Sequence, residues 1–451
     1  MDSRPPASDT LLADLHRLFP KLIDLSLGRM ERLLAKLDHP ERHLRNVVHV
    51  AGTNGKGSTV AMISSLLQAG GYRVHRYTSP HLVRFHERIT LNGVDIAEEA
   101  LAGLLQRIIA VNGDDPITFF EVTTAAALLA FAETPHDAVV LETGLGGRFD
   151  ATNVVAKPAV TVITPVDRDH QEYLGDSLAA IAGEKAGILK PGVPLVLAAQ
   201  AEAAAAVILA RAEALQVPVS MQGRDWQAQL QPATAAAGGM DVGGLRYQGV
   251  AGGWQQLPAP ALVGMHQAQN AGAALTAVQL LRGLPLSPHA MAEGLTQVRW
   301  PARLQPLHHG VAVRALPAGW RLYLDGAHNP HGAAALAVQL QQWRHPLYLV
   351  MAVLARKDPT ALLKLLLPHV DALIAIPMPG FEEQQFPPAQ LLELASQLGF
   401  KGRMQQAEDL PQAVQLLAVG IRTALETEIE PATVVVAGSL YLAGHVLKDH
   451  G

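Results

Sequence analysis

The chain has 451 residues, of which 49% are hydrophobic and 17% charged, and its formal net charge is −5. That length exceeds one ordinary core, so two or three domains are expected, and the charge excludes a global basic field that would draw the protein onto nucleic acid or a membrane. With no cysteine, disulfides, thiolate chemistry and cysteine-based zinc sites are excluded.

The first residues, Met1-Asp2-Ser3-Arg4-Pro5-Pro6, have no apolar core of the kind a secretory signal needs, and no apolar run is long enough to span a bilayer. A cytoplasmic location is the expectation. The first buried strand is predicted over 46–50, and a glycine-rich turn and a helix over 60–68 follow it, the helix stopped by Gly70-Gly71. A strand over 72–77 leads into a long polar loop that runs through Arg88. Helices are predicted near 97–111 and 119–133, buried strands at 138–141 and 160–163, and a weaker strand at 195–197. Alanine-rich 201–215 reads as a surface helix. Residues 220–262, rich in Gly, Gln and Pro, read as an irregular β excursion carrying little chemistry. Helices near 268–282 and 288–297 close this half. Trp300-Pro301 and Pro306 mark a linker, and a second series of strands is predicted at 321–324, 347–353, 373–376 and 433–436.

Strand, glycine turn, lysine, hydroxyl and helix in that order make a phosphate cradle at Gly52-Thr53-Asn54-Gly55-Lys56-Gly57-Ser58. Glycines let backbone N–H groups face phosphate oxygens, and the helix start adds partial positive charge. Lys56 can reach terminal phosphates and a hydroxyl can ligate Mg²⁺. The match to G-x-x-x-x-G-K-[ST] is imperfect: Val50 stands at the first glycine, and Gly57 displaces the hydroxyl to Ser58. The alternation of strands and helices predicts an α/β fold. A P-loop mononucleotide-binding domain with a parallel-rich sheet is expected over 1–299, and a smaller Rossmann-like α/β domain over 300–451.

The loop resembles that of the Mur ligase superfamily, and its Gly57-Ser58 ending resembles the folate branch, which contains folylpolyglutamate synthase and the bifunctional dihydrofolate synthase. Further segments agree in order: Thr78-Ser79-Pro80-His81-Leu82 with Glu87-Arg88, Thr118-Phe119-Phe120-Glu121, Glu142 through Asn153, Asp169-His170, Gly183 through Ile188, Arg303, Asp325 through His331, and Gly438-Ser439. The likeness runs from about residue 23 to about 445. One departure is Ala302, which stands where the family usually has glycine before Arg303.

The resemblance implies an ATP-dependent ligase that adds L-glutamate to dihydropteroate and to folate glutamates through an acyl phosphate. It implies ATP, two Mg²⁺ ions and a carbamylated Lys185. A monomer is expected because the site looks complete within one chain, and no nucleic-acid or membrane partner is expected from the charge and the lack of a long apolar run. Carbamylation turns a cation into an anion that offsets clustered metal charge. Thr53, Asn54, Gly55, Lys56, Gly57 and Ser58 would hold the nucleotide, with Asn270, Arg303 and Asp325. Ser79, Glu142 and His170 would ligate Mg²⁺, although Mg²⁺ seldom takes histidine; Glu142 also ends an apolar strand, where open α/β sheets bind ligands. Lys56, Lys185, His170 and Arg303 are the expected catalytic groups. The pterin side would comprise Ile23, Asp24, Leu25, Thr118, Phe119, Phe120, Glu121, Phe149, Asp150 and Ala151, and the glutamate side His328 and Ser439. By themselves Phe119 and Phe120 read as core, His170 as an ordinary polar contact and Arg303 as a surface arginine. A monofunctional folylpolyglutamate synthase, a Mur peptidoglycan ligase and a nucleotide switch remain alternatives. Whether Ser58 reaches the metal, or leaves that to Ser79 and Glu142, stays open.

Overall fold

Parallel strands set the architecture, because each of the longest ones is an apolar run buried on both faces. The computed structural model describes Leu12 and residues 26–232, 242–250, 252–422 and 431–450. Ile23, Asp24 and Leu25, expected on the pterin side, lie outside the described residues. The chain forms two compact units, one of 1–261 with 267–299, the other of 262–266 with 300–451.

The first unit is built on β1 (Val47–Ala51), β2 (Val74–Tyr77), β3 (Ile89–Leu91), β4 (Val94–Asp95), β5 (Ala138–Glu142), β6 (Val160–Ile163), β7 (Leu195–Leu197) and β8 (Val219–Met221). They form one sheet in the order β4-β3-β2-β5-β1-β6-β7-β8. From β2 through β8 neighbours pair parallel, with Val50 opposite Glu142 and Ala51 opposite Ile163. Every residue of β1 and β5 is buried, as central strands covered on both faces require. The loops after β2, β5, β1 and β6 therefore emerge side by side at one edge of the sheet.

Helix Lys56–Ala69 carries buried Val60, Met62, Ile63, Leu66 and Leu67 and covers one face. Helix Phe119–Glu133 is apolar nearly all round and starts in a capping box between Thr118 and Glu121, a device worth roughly 1 kcal/mol.

The 220–262 stretch is more ordered than its composition suggested. β9 (Gln227–Pro232), β10 (Val242–Gln248) and β11 (Trp254–Leu257) form an antiparallel three-stranded sheet. Trp226 is fully buried, and its ring lies where a Cβ on Gly272 would come within 2.6 Å. The Tyr247 hydroxyl meets Thr276 Oγ1 and donates to Gln279 Oε1, both at 3.0 Å. This sheet thus buttresses helix His266–Leu280, which carries Asn270.

The second unit holds β12 (Gln305–Pro306), β13 (Arg321–Leu324), β14 (Leu347–Met351), β15 (Ala372–Ala375), β16 (Arg403–Gln406) and β17 (Thr433–Ala437), in the order β12-β13-β17-β14-β15-β16. All pair parallel except β12. β16 is not among the predicted strands, because a half-buried Arg-Met-Gln-Gln edge strand lacks an apolar run. Among the described residues no helix is long and apolar enough to cross a membrane.

Candidate active site

The phosphate loop is held by its neighbours before any ligand is considered. Gly52 has φ +151°, and a Cβ there would lie 1.8 Å from Thr164 Oγ1. Thr53 N and Asn54 N donate to the Pro165 carbonyl at 3.0 and 3.3 Å. Thr53 Oγ1 donates to the Asp167 carbonyl at 2.9 Å and accepts from Asp167 N at 3.0 Å. The loop after β6 is thereby stitched to the loop after β1.

Two lysines converge on one carbonyl. Lys56 Nζ donates to Gly52 O at 3.1 Å and to Thr53 O at 3.3 Å. Lys185, buried at the end of helix Leu178–Lys185, donates to the same Gly52 O at 2.8 Å. Burial, and next the Lys56 charge, depress Lys185 to about 7, while Asp169 and Asp150 act in the opposite direction. A buried lysine loses hydration that its charged form needs, so the neutral amine gains ground.

Ser58 and Gly55 are tied to helix His266–Leu280. Gln267 Nε2 donates to Ser58 Oγ at 3.5 Å, and Asn270 Nδ2 donates to Gln267 Oε1 at 2.9 Å. Gly55 has φ +84°, and a Cβ there would lie 2.6 Å from Asn270 Oδ1, so only glycine fits. Gln267 is fully buried and was not singled out in the sequence. Its position three residues before Asn270, on the same helix face, is the signal that could have found it.

The expected metal ligands come from three of the four adjacent strand ends. Ser79 follows β2, buried Glu142 ends β5, and His170 lies beyond β6. His170 has an exposed side chain and φ +52°; its N–H donates to Asp169 Oδ1 at 2.9 Å. Among the described residues no group of three His, Asp or Glu side chains has metal-ligand geometry. The donor types, a hydroxyl from Ser79 and a carboxylate from Glu142, suit a hard cation, and the Lys56 ammonium on Gly52 O adds positive charge at the same sheet edge. The segment after β2 is braced internally, because Glu87 accepts from the backbone N–H groups of Leu82, Val83 and Arg84 at 2.6–3.3 Å.

Of the residues expected on the pterin side, Phe119 is core, set edge-on to Phe85. Phe120 lies where a Cβ on Gly144 would come within 2.3 Å, so the glycine of the 142–153 motif gives its ring room. Glu121 receives Arg29 at 3.0 and 3.1 Å and the Thr118 N–H at 2.7 Å, which gives it a structural role. Phe149 is exposed, with the Arg148 guanidinium 5.7 Å from its ring centre. Buried Asp150 caps the short helix Ala151–Val154, and burial pushes its carboxyl upward against several hydrogen bonds.

In the second unit, Asp325 directly follows β13. Its carboxylate accepts from Leu304 N at 2.9 Å and Ala327 N at 2.8 Å. Burial raises this carboxyl, while the Arg303 charge lowers it. Ala302 has φ +56°, the left-handed conformation that makes glycine the usual residue there. His328 Nδ1 lies 2.8 Å from the Gly326 carbonyl. Asn329 caps helix Pro330–Leu340, and buried Ser439 stands at the start of helix Leu440–His450. Gly438 N donates to Ala327 O at 2.9 Å, so the two helix starts are neighbours. A cavity of about 550 Å³ lined by Glu41, Arg42, Val155 and Lys157 opens beside the starts of β1 and β6. That is the opposite edge of the first sheet, and none of the expected residues lines it.

The Mur ligase middle domain family matches residues 50–278, and the dihydrofolate synthetase C-terminal domain family matches 316–449. A dihydrofolate synthase/folylpolyglutamate synthase of Bacillus subtilis is 40% identical over 326 residues, covering 70% of this chain and 72% of the relative. Escherichia coli FolC in complex with DHPP and ADP superposes with a TM-score of 0.82 at 30% identity, covering 99% of this chain and 98% of that one. A bifunctional folylpolyglutamate synthase/dihydrofolate synthase with Mn, AMPPNP and L-glutamate bound gives 0.78 at 30% identity, covering 98% of each. With these matches in order along one chain, the protein belongs to the dihydrofolate synthase/folylpolyglutamate synthase family of Mur-type, ATP-dependent ligases.

Proposed function

We propose that the chain joins L-glutamate to dihydropteroate and to folate glutamates, using ATP to convert the acceptor's carboxylate into an acyl phosphate. The observation that carries this reading is the convergence at one sheet edge of a phosphate loop, two lysines on Gly52 O, and the loops bearing Ser79, Glu142 and His170. A carboxylate is a poor electrophile, so amide formation needs activation, and positioning plus charge stabilisation is what a protein contributes to phosphoryl transfer.

Residues 53–58 and Asn270 are assigned to the nucleotide, with Gln267 orienting Ser58 and Asn270. Arg303 and Asp325 are assigned to the nucleotide as well, and His328 and Ser439 to glutamate. Two adjacent helix starts suit a carboxylate. Thr118, Phe120, Phe149, Asp150 and Ala151 are assigned to the pterin. Ser79, Glu142 and His170 would hold Mg²⁺, which when bound neutralises phosphate charge. Since Gln267 donates to Ser58 Oγ, we leave Ser58 out of the metal's ligand set.

Lys185 is assigned as a carbamate. Depressed to about 7, its amine is substantially unprotonated near neutral pH, as attack on CO₂ requires. The N–C bond forms, one amine proton leaves to solvent, and the product is an anion where an ammonium stood. Intact mass with and without bicarbonate tests this; a mass that never includes CO₂ contradicts it.

We also propose a cytoplasmic monomer. The functional test supplies dihydropteroate and a folate monoglutamate separately, each with ATP and glutamate, and follows the products by mass. Glutamate addition to both is expected. If dihydropteroate is not consumed, the synthase activity is lost from the reading and only the polyglutamylating one remains.

A further inference from the structure

His49 lies in the middle of β1 and is fully buried. Its Nε2 is 2.8 Å from Thr152 Oγ1, and the Thr152 hydroxyl donates to Asp150 Oδ1. The Thr152 N–H also donates to Oδ1 at 3.0 Å, and the Leu145 N–H to Oδ2 at 2.8 Å. Thr152 is fully buried and Asp150 nearly so.

Chemistry fixes the direction of this chain of donors. An ionised carboxylate only accepts, and a threonine hydroxyl has one proton to give. With that proton committed to Asp150, the Thr152 oxygen must accept from His49, so the imidazole carries its hydrogen on Nε2. Burial, and next the charge of Lys190, hold His49 down at about 3, which keeps the ring neutral with a single N–H. The other nitrogen, Nδ1, is then bare, and among the described residues it has no hydrogen-bond partner. A histidine needed only to fill core could be replaced by an apolar residue without leaving a polar atom stranded. One kept for a single donated hydrogen bond has the arrangement seen here.

We propose that His49 is a positioning residue for recognition of the pterin. Through Thr152 it holds the Asp150 carboxylate in one orientation and favours its ionised form, as an acceptor for the amine and amide N–H groups along the edge of the heterocycle. This rests on the reading of Asp150 as a pterin-side residue. Burial pushes the Asp150 carboxyl upward, with the Thr152 hydroxyl first among the contacts that oppose it. Each donor in a chain polarises the next, so the His49 bond strengthens the Thr152 bond. His49 also lies on the strand that ends in the phosphate loop, so one element supports both substrates, and the support for each can be measured separately.

The test uses the full chain with ATP, glutamate and dihydropteroate. His49→Leu, which removes the donor, is expected to raise KM for dihydropteroate about tenfold, the scale of one lost hydrogen bond to a charged network, and to leave KM for ATP within about twofold. His49→Gln keeps an amide donor and is expected to recover most of the loss. Thr152→Val, which removes the bond to Asp150 itself, is expected to lose at least as much as His49→Leu, and the double variant to be no worse than Thr152→Val alone. Where His49→Leu folds poorly, Thr152→Val and His49→Gln carry the same comparison. The proposal is overturned if KM for both substrates rises together, if the two losses multiply, or if dihydropteroate KM does not change. Asp150→Ala separates this from its parent reading. If it raises dihydropteroate KM while His49→Leu does not, only the relay fails; if it leaves that KM unchanged, the pterin-side assignment fails and the relay with it.

Discussion

The two sheets share one plan and use it differently. Each is a mostly parallel sheet, and most of its candidate residues lie at or just beyond strand C-termini. In the first unit those residues are charged and mostly buried: half-buried Lys56 and buried Lys185 share Gly52 O, buried Glu142 ends β5, and buried Asp150 accepts from Leu145 N, Thr152 N and the Thr152 hydroxyl. In the second they are helix starts at Asn329 and Ser439, beside His328 and a buried Asp325. On the proposed assignments the two units would offer two kinds of ligand site. One would rest on side-chain charge, suited to polyphosphate and metal, and the other on backbone dipoles, suited to a carboxylate. The charged edge is the less tolerant of change, because a buried charge without its partner is costly.

The largest expected break in that comparison is Lys185→Met. If the carbamate shapes the metal site, kcat falls by about 100-fold or more while ATP binding, followed by calorimetry, persists. A variant with near-normal turnover removes Lys185 from the chemistry. Unmodified Lys185 also predicts a pH dependence. Its folded value of about 7 lies below its ordinary 10.5, so between these limits the unfolded chain holds the extra proton. Stability in CO₂-free buffer should therefore rise as pH rises from 7 to 10.5. The rise should vanish in Lys185→Met, and a flat profile in the unmodified protein would contradict the burial argument.

Gly52→Ala is expected to cost about 3 kcal/mol, from overpacking and a positive φ together, because its Cβ would meet Thr164 Oγ1 at 1.8 Å. Urea unfolding reads the loss, and nucleotide affinity should fall with it. The smallest effect belongs to the second unit. At Ala302, φ +56° costs about 1–2 kcal/mol, so glycine would relieve strain. Glycine would also lose a buried methyl worth about 0.8 kcal/mol and about 0.4–1 kcal/mol through the unfolded chain. These terms nearly cancel, and Ala302→Gly should shift stability by under about 0.5 kcal/mol. That balance explains how alanine is tolerated where the resemblance led us to expect glycine.

Much of this was legible because it is local. Strands β1, β5 and β6 are short runs dominated by apolar residues, and the phosphate loop is a short-range pattern. What was not legible depends on separation along the chain. Gln267 reaches Ser58, His49 reaches Thr152, and Lys185 reaches Gly52, and no periodicity announces such pairs. The 227–257 sheet was hidden by glycine and glutamine that blur alternation, and its purpose shows only in Trp226 and Tyr247 packing on helix His266–Leu280. Glu121 is a case where the resemblance pointed to substrate and the structure shows a cap and an ion pair with Arg29.

The account is tested most directly by ADP release measured with each component left out in turn. It predicts turnover that requires dihydropteroate and L-glutamate together with ATP, and that is lost in Lys56→Ala. ADP release that continues without glutamate, or that depends on a muramyl nucleotide in place of the pterin acid, would contradict it.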